Sequence, residues 1–217
     1  MHFDLSELDA KDRYKLIAGL VVPRPIALVT TLGESGTHNA APYSFFNAFS
    51  EDPPLVVLGL GINERGDDKD TAVNIRDGGE FVVNLVDEPL AEAMNICAID
   101  FPPDVSEVEA AGLELVPSAR VAPARLKAAP VSMECIHFQT LHPGRNRYLV
   151  IGEIVMIHAA ADILDPETLR IDRDRYAPIG RLFGGGYCRT HDRFDIRRMT
   201  VEEGMTAVKS GQPTDEA

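Results

Sequence analysis

Cysteine and basic residues are both scarce in this sequence. Its three cysteines lie far apart and form no Cys-x-x-Cys pair, so neither a disulfide framework nor a zinc knuckle is predicted. Only 21 Lys and Arg residues face 34 Asp and Glu residues, which gives a formal net charge of -13. Such a charge repels nucleic acid, because proteins hold it chiefly by neutralising phosphates with Lys and Arg. We therefore expect no nucleic-acid partner, although a few backbone N–H groups can hold a single phosphate locally.

Long apolar runs are missing as well. No stretch reaches the length of a membrane span, and residues 1–7 show neither the basic nor the apolar region of a secretory signal. We therefore expect a cytoplasmic protein without membrane contact. A chain of 217 residues fits a single domain, 1–217, with its own core.

Common catalytic motifs are also absent. The sequence contains no Gly-x-Gly-x-x-Gly after a strand, no Walker A loop, no Gly-x-Ser-x-Gly elbow and no His-Glu-x-x-His helix. Cys188 and His191 have a spacing that suits a shared metal ion, but no second ligand pair stands nearby, and structural roles are favoured. We predict no metal site.

The hydrophobic pattern predicts helices at the margins and strands in the middle. Ser6 and Asp9 resemble a capping box for a helix over 6–20. Apolar or alternating runs predict strands at 26–31, 39–43, 55–60, 81–85, 131–141 and 148–158. The last two flank the turn Pro143-Gly144 and form a candidate antiparallel pair.

The remaining segments surround these strands. Asp70 is the predicted cap of a short helix over 71–76, and a loop-rich helical excursion is expected over about 87–129. The polar residues 209–217 form a predicted frayed tail. Because strands outnumber helices and no strict βαβ alternation appears, we expect a mainly β, Greek-key antiparallel barrel with peripheral helices.

A block of small, polar and aromatic residues, 39–50, begins just after the turn at 33–36 and includes the second predicted strand. Its small residues allow close approach to a planar ligand, its amides and hydroxyls offer hydrogen bonds, and its aromatic rings offer flat apolar walls. These features suit a flavin. The same composition also suits a strand followed by an irregular core segment.

A longer series of motifs resembles the flavin reductase-like family of FMN-binding split barrels. The series runs in order from about Tyr14 to Arg189, and its motifs stand at 23–31, 39–47, 69–71 with 74–75, 81–85, 152–155 and 181–187. The resemblance implies a homodimer that binds FMN and passes reducing equivalents from NAD(P)H through the flavin to an acceptor. It leaves open an FMN electron carrier with an acceptor protein as partner, and a barrel that serves as a non-catalytic binding module.

The resemblance also implies a set of cofactor-binding residues. They are Thr30, Thr31, Asn39, Ala41, Tyr43, Ser44, Phe45 and Asn47 beside the flavin, Lys69 and Thr71 at the phosphate, and Arg181 and Gly184 in a closing segment. A predicted helix start favours phosphate, and Asp70 is expected to cap that helix rather than to contact the anion. No side chain is assigned as catalytic, because flavin N5 carries the chemistry.

Three features leave alternatives open. Arg24 is expected at a dimer contact, at the phosphate or on the surface. The Gly-Asp-His element that short NADH-dependent members tend to carry is missing, although Arg145 and Arg147 offer positive charge to a dinucleotide phosphate. His158 is interpreted as a core histidine rather than a catalytic one.

Overall fold

The computed structural model describes residues 1–63, 65–102, 105–144 and 146–210. Helices and strands follow one another as α1 (Ala10–Leu20), β1 (Ala27–Leu32), β2 (His38–Tyr43), β3 (Phe46–Glu51), β4 (Pro54–Leu60), α2 (Asp70–Gly78), β5 (Glu80–Leu85), α3 (Ala91–Ile96), α4 (Glu107–Ala110), β6 (Leu115–Val116), β7 (Arg125–Leu126), β8 (Val131–Leu141), β9 (Tyr148–Ala159), β10 (Ile179–Arg181), β11 (Tyr187–Arg189) and α5 (Val201–Ser210). The predicted mainly β class is confirmed.

Seven of the strands form one antiparallel sheet in the order β2-β1-β5-β8-β9-β4-β3. Its edge strands, β2 and β3, are joined only by Ser44 and Phe45. A flat sheet would hold these edges about 30 Å apart, whereas so short a linker spans roughly 10 Å. The sheet therefore curls into a barrel whose edges meet. Because β2 and β3 are not neighbours in the hydrogen-bonded order, the barrel is split at this seam.

The strands of this barrel are covered on both faces. Val29, Leu58 and Phe81 belong to the cluster inside the barrel, and all three are fully buried. Leu28, the neighbour of Val29, points to the opposite face and is fully buried with Leu90 in a second cluster. Burial on both faces explains why β1 reads as a continuous apolar run rather than an alternating one.

The predicted strands are confirmed to within one residue at most ends, and the pair β8 and β9 joins residues 131–141 to 148–159 as expected. Strand β3 was not predicted. Of its first four residues only Phe46 is buried, while Asn47, Ala48 and Phe49 are exposed. Without alternation, the local pattern carries no strand signal.

Two helix starts differ from the prediction. The Asp9 side chain accepts a hydrogen bond from the Asp12 N–H at 2.8 Å, so α1 begins at Ala10, while the Ser6 N–H and hydroxyl instead donate to Asp4. In α2 Asp70 is the first helical residue, and the preceding residue occupies the cap position without a side-chain hydrogen bond. The prediction of Asp70 as the cap is therefore wrong.

The expected excursion contains α3, α4 and the two-stranded sheet of β6 and β7. Residues 209 and 210 of the predicted tail continue helix α5, and residues 211–217 lie outside the described residues. Within the described ranges, no helix is both long and apolar enough to cross a bilayer.

Candidate functional site

A cavity of about 310 Å³ opens beside the seam of the barrel. Its volume lies at the lower end of the range of small-molecule sites. Five parts of the fold supply its walls: helix α1, strand β2 with the Ser44-Phe45 linker, the end of β4 with the loop after it, the start of α2, and the excursion from the end of α3 to α4. Of the predicted cofactor-binding residues, the cavity brings together Asn39, Ala41, Tyr43, Ser44, Phe45, Lys69 and Thr71.

The start of α2 forms one end of the cavity. The first N–H groups of a helix lack partners within the helix and carry partial positive charge, which favours an anion there. The Thr71 hydroxyl accepts a hydrogen bond from Asn39 Nδ2 at 3.1 Å, so β2 fixes the orientation of this helical turn. Lys69 also lines this end, but its ammonium lies 3.0 Å from Asp100 Oδ1. Its charge is thus already balanced by a carboxylate.

Tyr43 lines the same end of the cavity and is only 7% exposed. Its hydroxyl is buried and makes no well-formed hydrogen bond among the described residues. Burial raises the pKa of Tyr43, and the neighbouring Thr71 hydroxyl only partly offsets this effect. Because a buried hydroxyl without a partner is costly, this group is suited to meet a polar atom of a ligand.

Acidic residues from elsewhere in the chain complete this end, although the 39–47 block itself holds none. They are Asp70, Asp100 and Glu107, and Cys97 lies among them. Burial raises the pKa of Glu107, and the charges of Asp70 and Asp100 add to that shift. Burial and the charge of Glu107 raise the pKa of Cys97 to about 12, which keeps this thiol protonated. Sequence reasoning missed Asp100, Glu107 and Cys97, because no local motif links them to the block, and it expected Asp70 only as a helix cap.

Two aromatic side chains also line the cavity. The rings of Tyr14 and Phe45 lie 6.3 Å apart between centroids at an angle of 54°. Gly59 lies directly behind Phe45, since a Cβ atom there would stand 2.9 Å from the Phe45 Cβ. This apolar wall, half exposed to solvent, suits a planar ring system.

Arg24 is buried beside this wall and is held entirely by the protein. Its Nε donates to Ser44 Oγ at 3.2 Å, and its guanidinium lies 6.0 Å from the centroid of Phe45. Of the three predicted places for Arg24, a surface position is excluded, since only 5% of it is exposed. Its role is to fix the Ser44-Phe45 linker.

Two predicted flavin contacts lie away from the cavity. Thr30 and Thr31 are fully buried within β1. The Thr30 hydroxyl donates to the Ala124 carbonyl oxygen at 2.6 Å, and the Thr31 hydroxyl accepts from Asn74 Nδ2 at 2.9 Å. Their polar atoms therefore hold the fold together rather than face the cavity.

Three further predicted residues also lie outside the lining of the cavity. Asn47 is exposed on β3, because its neighbour Phe46 takes the inward position. The Arg181 guanidinium stacks 4.5 Å from the ring centroid of Tyr187, and Gly184 has a φ of 63° in the turn between β10 and β11. In a single chain, Asn47, Arg181 and Gly184 therefore do not line the cavity with the seven other predicted residues.

Charged residues considered for other roles are placed as follows. His158 Nε2 lies 2.5 Å from Glu134 Oε1, which is consistent with a structural histidine. Arg147 packs beside Gly61 at the rim of the cavity, whereas Arg145 lies outside the described residues. Among the residues that the structure describes, no three His, Cys, Asp or Glu side chains come together as potential metal ligands, so Cys188 and His191 belong to no such group.

The fold and the cavity define a mainly β protein whose split barrel carries a cofactor-sized pocket at its seam. Residues 19–180 match the flavin reductase like domain family, and the chain belongs to this family.

Three solved structures are similar to this chain. The 2-nitrobenzoate 2-nitroreductase NbaA of Pseudomonas fluorescens is 43% identical, with a TM-score of 0.86 over 93% of this chain and 98% of that chain. Nitrilotriacetate monooxygenase component B of Bacillus cereus is 34% identical, with a TM-score of 0.84 over 90% and 98%. A split-barrel protein of Shewanella frigidimarina, 22% identical, shares the fold with a TM-score of 0.74 over 92% and 98%. The predicted split barrel is confirmed.

Proposed function

We propose that the cavity binds FMN and that the protein is an oxidoreductase passing reducing equivalents from NAD(P)H through this flavin to an acceptor. The observation that carries the proposal is that one cavity combines a polar helix start with an apolar aromatic wall. A helix start with Lys69 and Thr71 and the Tyr14-Phe45 wall line the same cavity. An anion site next to a flat apolar wall matches a phosphate joined to a planar ring.

The residues present fit this cofactor. The first turn of α2 and the Thr71 hydroxyl would hold the phosphate, and the buried Tyr43 hydroxyl offers a polar contact that the protein leaves unused. Ala41 has only a methyl group as its side chain, so a planar group can approach the backbone of β2 closely there. Arg24 holds Ser44 and Phe45 in place behind the ring site. Bound FMN supplies hydride and electron transfer at its N5.

The protein's contribution is position and electrostatics. No side chain of the cavity is assigned as an acid or base in the reaction, so substitutions that displace the aromatic wall are expected to slow flavin reduction more than loss of a titrating group. A nitro compound is the first acceptor to test, because the similar protein NbaA is a nitroreductase. Anaerobic bleaching of the bound flavin by NADH and by NADPH identifies the donor, and bleaching by neither would refute the proposed activity.

The double variant Lys69→Ala, Thr71→Ala tests the phosphate end. We expect FMN to bind at least tenfold more weakly, because a charge-assisted hydrogen bond contributes about 1.5–3 kcal/mol. Riboflavin lacks the phosphate and is expected to bind almost as before. Fluorescence titration of both flavins measures the two affinities. Equal losses for the two flavins, or tighter binding of FAD than of FMN, would show that the phosphate does not lie at α2.

A homodimer is part of the proposal. Strands β8 and β9 leave five apolar side chains exposed: Ile136, Phe138, Leu141, Leu149 and Ile157. Ile136 and Leu149 each neighbour a buried residue of the inner cluster, Cys135 and Val150, so these two side chains point to the outer face of the barrel. A second copy of the chain would cover this face, and light scattering is expected to give twice 23.7 kDa. A monomer that binds FMN tightly would refute the dimer alone.

A further inference from the structure

The phosphate end of the cavity carries little net positive charge. The Lys69 ammonium already pairs with Asp100, and Arg65, another basic residue of the lining, lies 3.8 Å from an aspartate oxygen of its own loop. Asp70 and Glu107 add two more carboxyl groups to the same lining. A flavin phosphate brings about -1.5 to -2 charges of its own. With every carboxyl ionised, the electrostatic field of these side chains opposes the phosphate.

Glu107 is the carboxyl whose surroundings favour the neutral form. It stands at the first position of α4, where the packed excursion half-buries it against β2. Burial is the largest effect on its pKa and raises it, and the charges of Asp70 and Asp100 act in the same direction. Hydrogen bonds with its own backbone and with the Ala40 backbone lower this pKa and oppose the shift only in part.

The groups that face Glu107 come from three elements. Helix α2 presents Asp70, with Lys69 before it, and β2 presents the Tyr43 hydroxyl. The segment after α3 presents Asp100 and also Cys97, whose Sγ lies 3.8 Å from the Glu107 carbonyl oxygen. The Cys97 thiol is uncharged, and the Lys69 charge is balanced by Asp100. No described member of this set offers Glu107 an uncompensated positive charge.

We propose that Glu107 sets the affinity of the cavity for the flavin phosphate by taking up one proton from solvent when the phosphate enters. The inference rests on the proposed binding of FMN. Protonation removes one of three negative charges from this end of the cavity and turns an acceptor into an O–H donor. The protonated Glu107 carboxyl and the Tyr43 hydroxyl are then two neutral groups beside the phosphate, and neither repels an anion.

The consequence is an affinity that depends on pH. Binding that takes up a proton weakens by up to tenfold for each pH unit above the pKa of the free carboxyl. The phosphate of FMN itself ionises near pH 6, but this contribution is common to every variant of the protein. Riboflavin has no phosphate, so its affinity is expected to be independent of Glu107.

Flavin fluorescence titrations at pH 6, 7 and 8 test the inference. The wild-type protein is expected to bind FMN about tenfold more weakly at pH 8 than at pH 6. Glu107→Gln should abolish most of this dependence and bind FMN about tenfold more tightly than wild type at pH 8. Glu109→Gln is the matched control, because it removes the same charge from an exposed position of the same helix. It should follow the wild type.

The possible outcomes separate the two proposals. If Glu107→Gln keeps the pH dependence of the wild type, or if Glu109→Gln loses it equally, the inference is wrong while the FMN assignment stands. If the wild-type protein binds no FMN at any pH, both fail. Circular dichroism checks the fold of each variant. Calorimetry on the wild-type protein at pH 7.5, in two buffers with different ionisation enthalpies, gives an independent measurement, and the absence of proton uptake on FMN binding overturns the inference.

Discussion

Replacement of the buried Arg24 should destabilise both the fold and the cavity. Its guanidinium donates to the carbonyl oxygens of Val21 at 3.0 Å and Leu182 at 3.1 Å, to that of Ala18, and to Ser44 Oγ at 3.2 Å. It thus ties the end of α1 and the segment after β10 to the linker at the barrel seam. These regions lie far apart in the sequence, and the one side chain satisfies polar atoms from all of them.

The magnitude follows from the groups left behind. Arg24→Ala strips a donor from three carbonyl oxygens, and each buried acceptor without a partner costs about 1–3 kcal/mol. Because water reaches some of these atoms after the truncation, we expect a total loss of about 3–5 kcal/mol in the free energy of unfolding. Arg24→Lys keeps the charge but offers one nitrogen for four separate acceptors, so roughly half of that loss is expected.

Urea denaturation followed by circular dichroism measures the loss, and FMN titration of the folded variants measures the effect on the cavity. Arg24→Lys should also bind FMN several-fold more weakly, since Ser44 and Phe45 lose their support. Arg189→Ala is the control, because this exposed arginine pairs with Glu88 at the surface and its loss should leave stability within the error of the assay. A loss below about 1 kcal/mol for Arg24→Ala would refute the reasoning.

Two further predictions concern the barrel itself. Gly152→Ala should lower the free energy of unfolding, measured by urea denaturation, by about 2–3 kcal/mol, because its Cβ would stand 2.3 Å from Phe81 Cζ in the core. In the control Gly78→Ala, the new Cβ in α2 meets nothing within 4 Å, so the free energy of unfolding should rise by about 0.5–1 kcal/mol. Equal effects of the two substitutions would contradict this packing. Burial opposes the ionisation of Glu134, but two backbone N–H groups and His158 outweigh it and lower its pKa. The ionised Glu134 therefore stabilises the fold fully above about pH 4.3, and this stabilisation is lost as the pH falls through the lowered pKa. In Glu134→Gln, the free energy of unfolding should fall less steeply at acid pH than in the wild type. An unchanged dependence on pH would exclude this role.

The sequence alone determined the barrel strands and part of the site. Alternation and apolar runs located β1, β5, β8 and β9, because burial of a strand face imposes a pattern on neighbouring residues. The family resemblance pointed to the 39–47 block and to Lys69 and Thr71, and the cavity does contain most of these residues. These signals are local, since each belongs to one continuous segment of a strand or helix end.

Only the tertiary structure decided the rest. Tyr14, Asp100 and Glu107 reach the cavity from α1 and from the excursion, and no spacing in the sequence relates these elements to β2. Thr30 and Thr31 fit the family pattern, yet both faces of β1 are covered, and their hydroxyls are used by Ala124 and Asn74. A strand pattern reports that a side chain is buried, and only the packing of neighbouring elements determines whether it faces a ligand or another part of the protein.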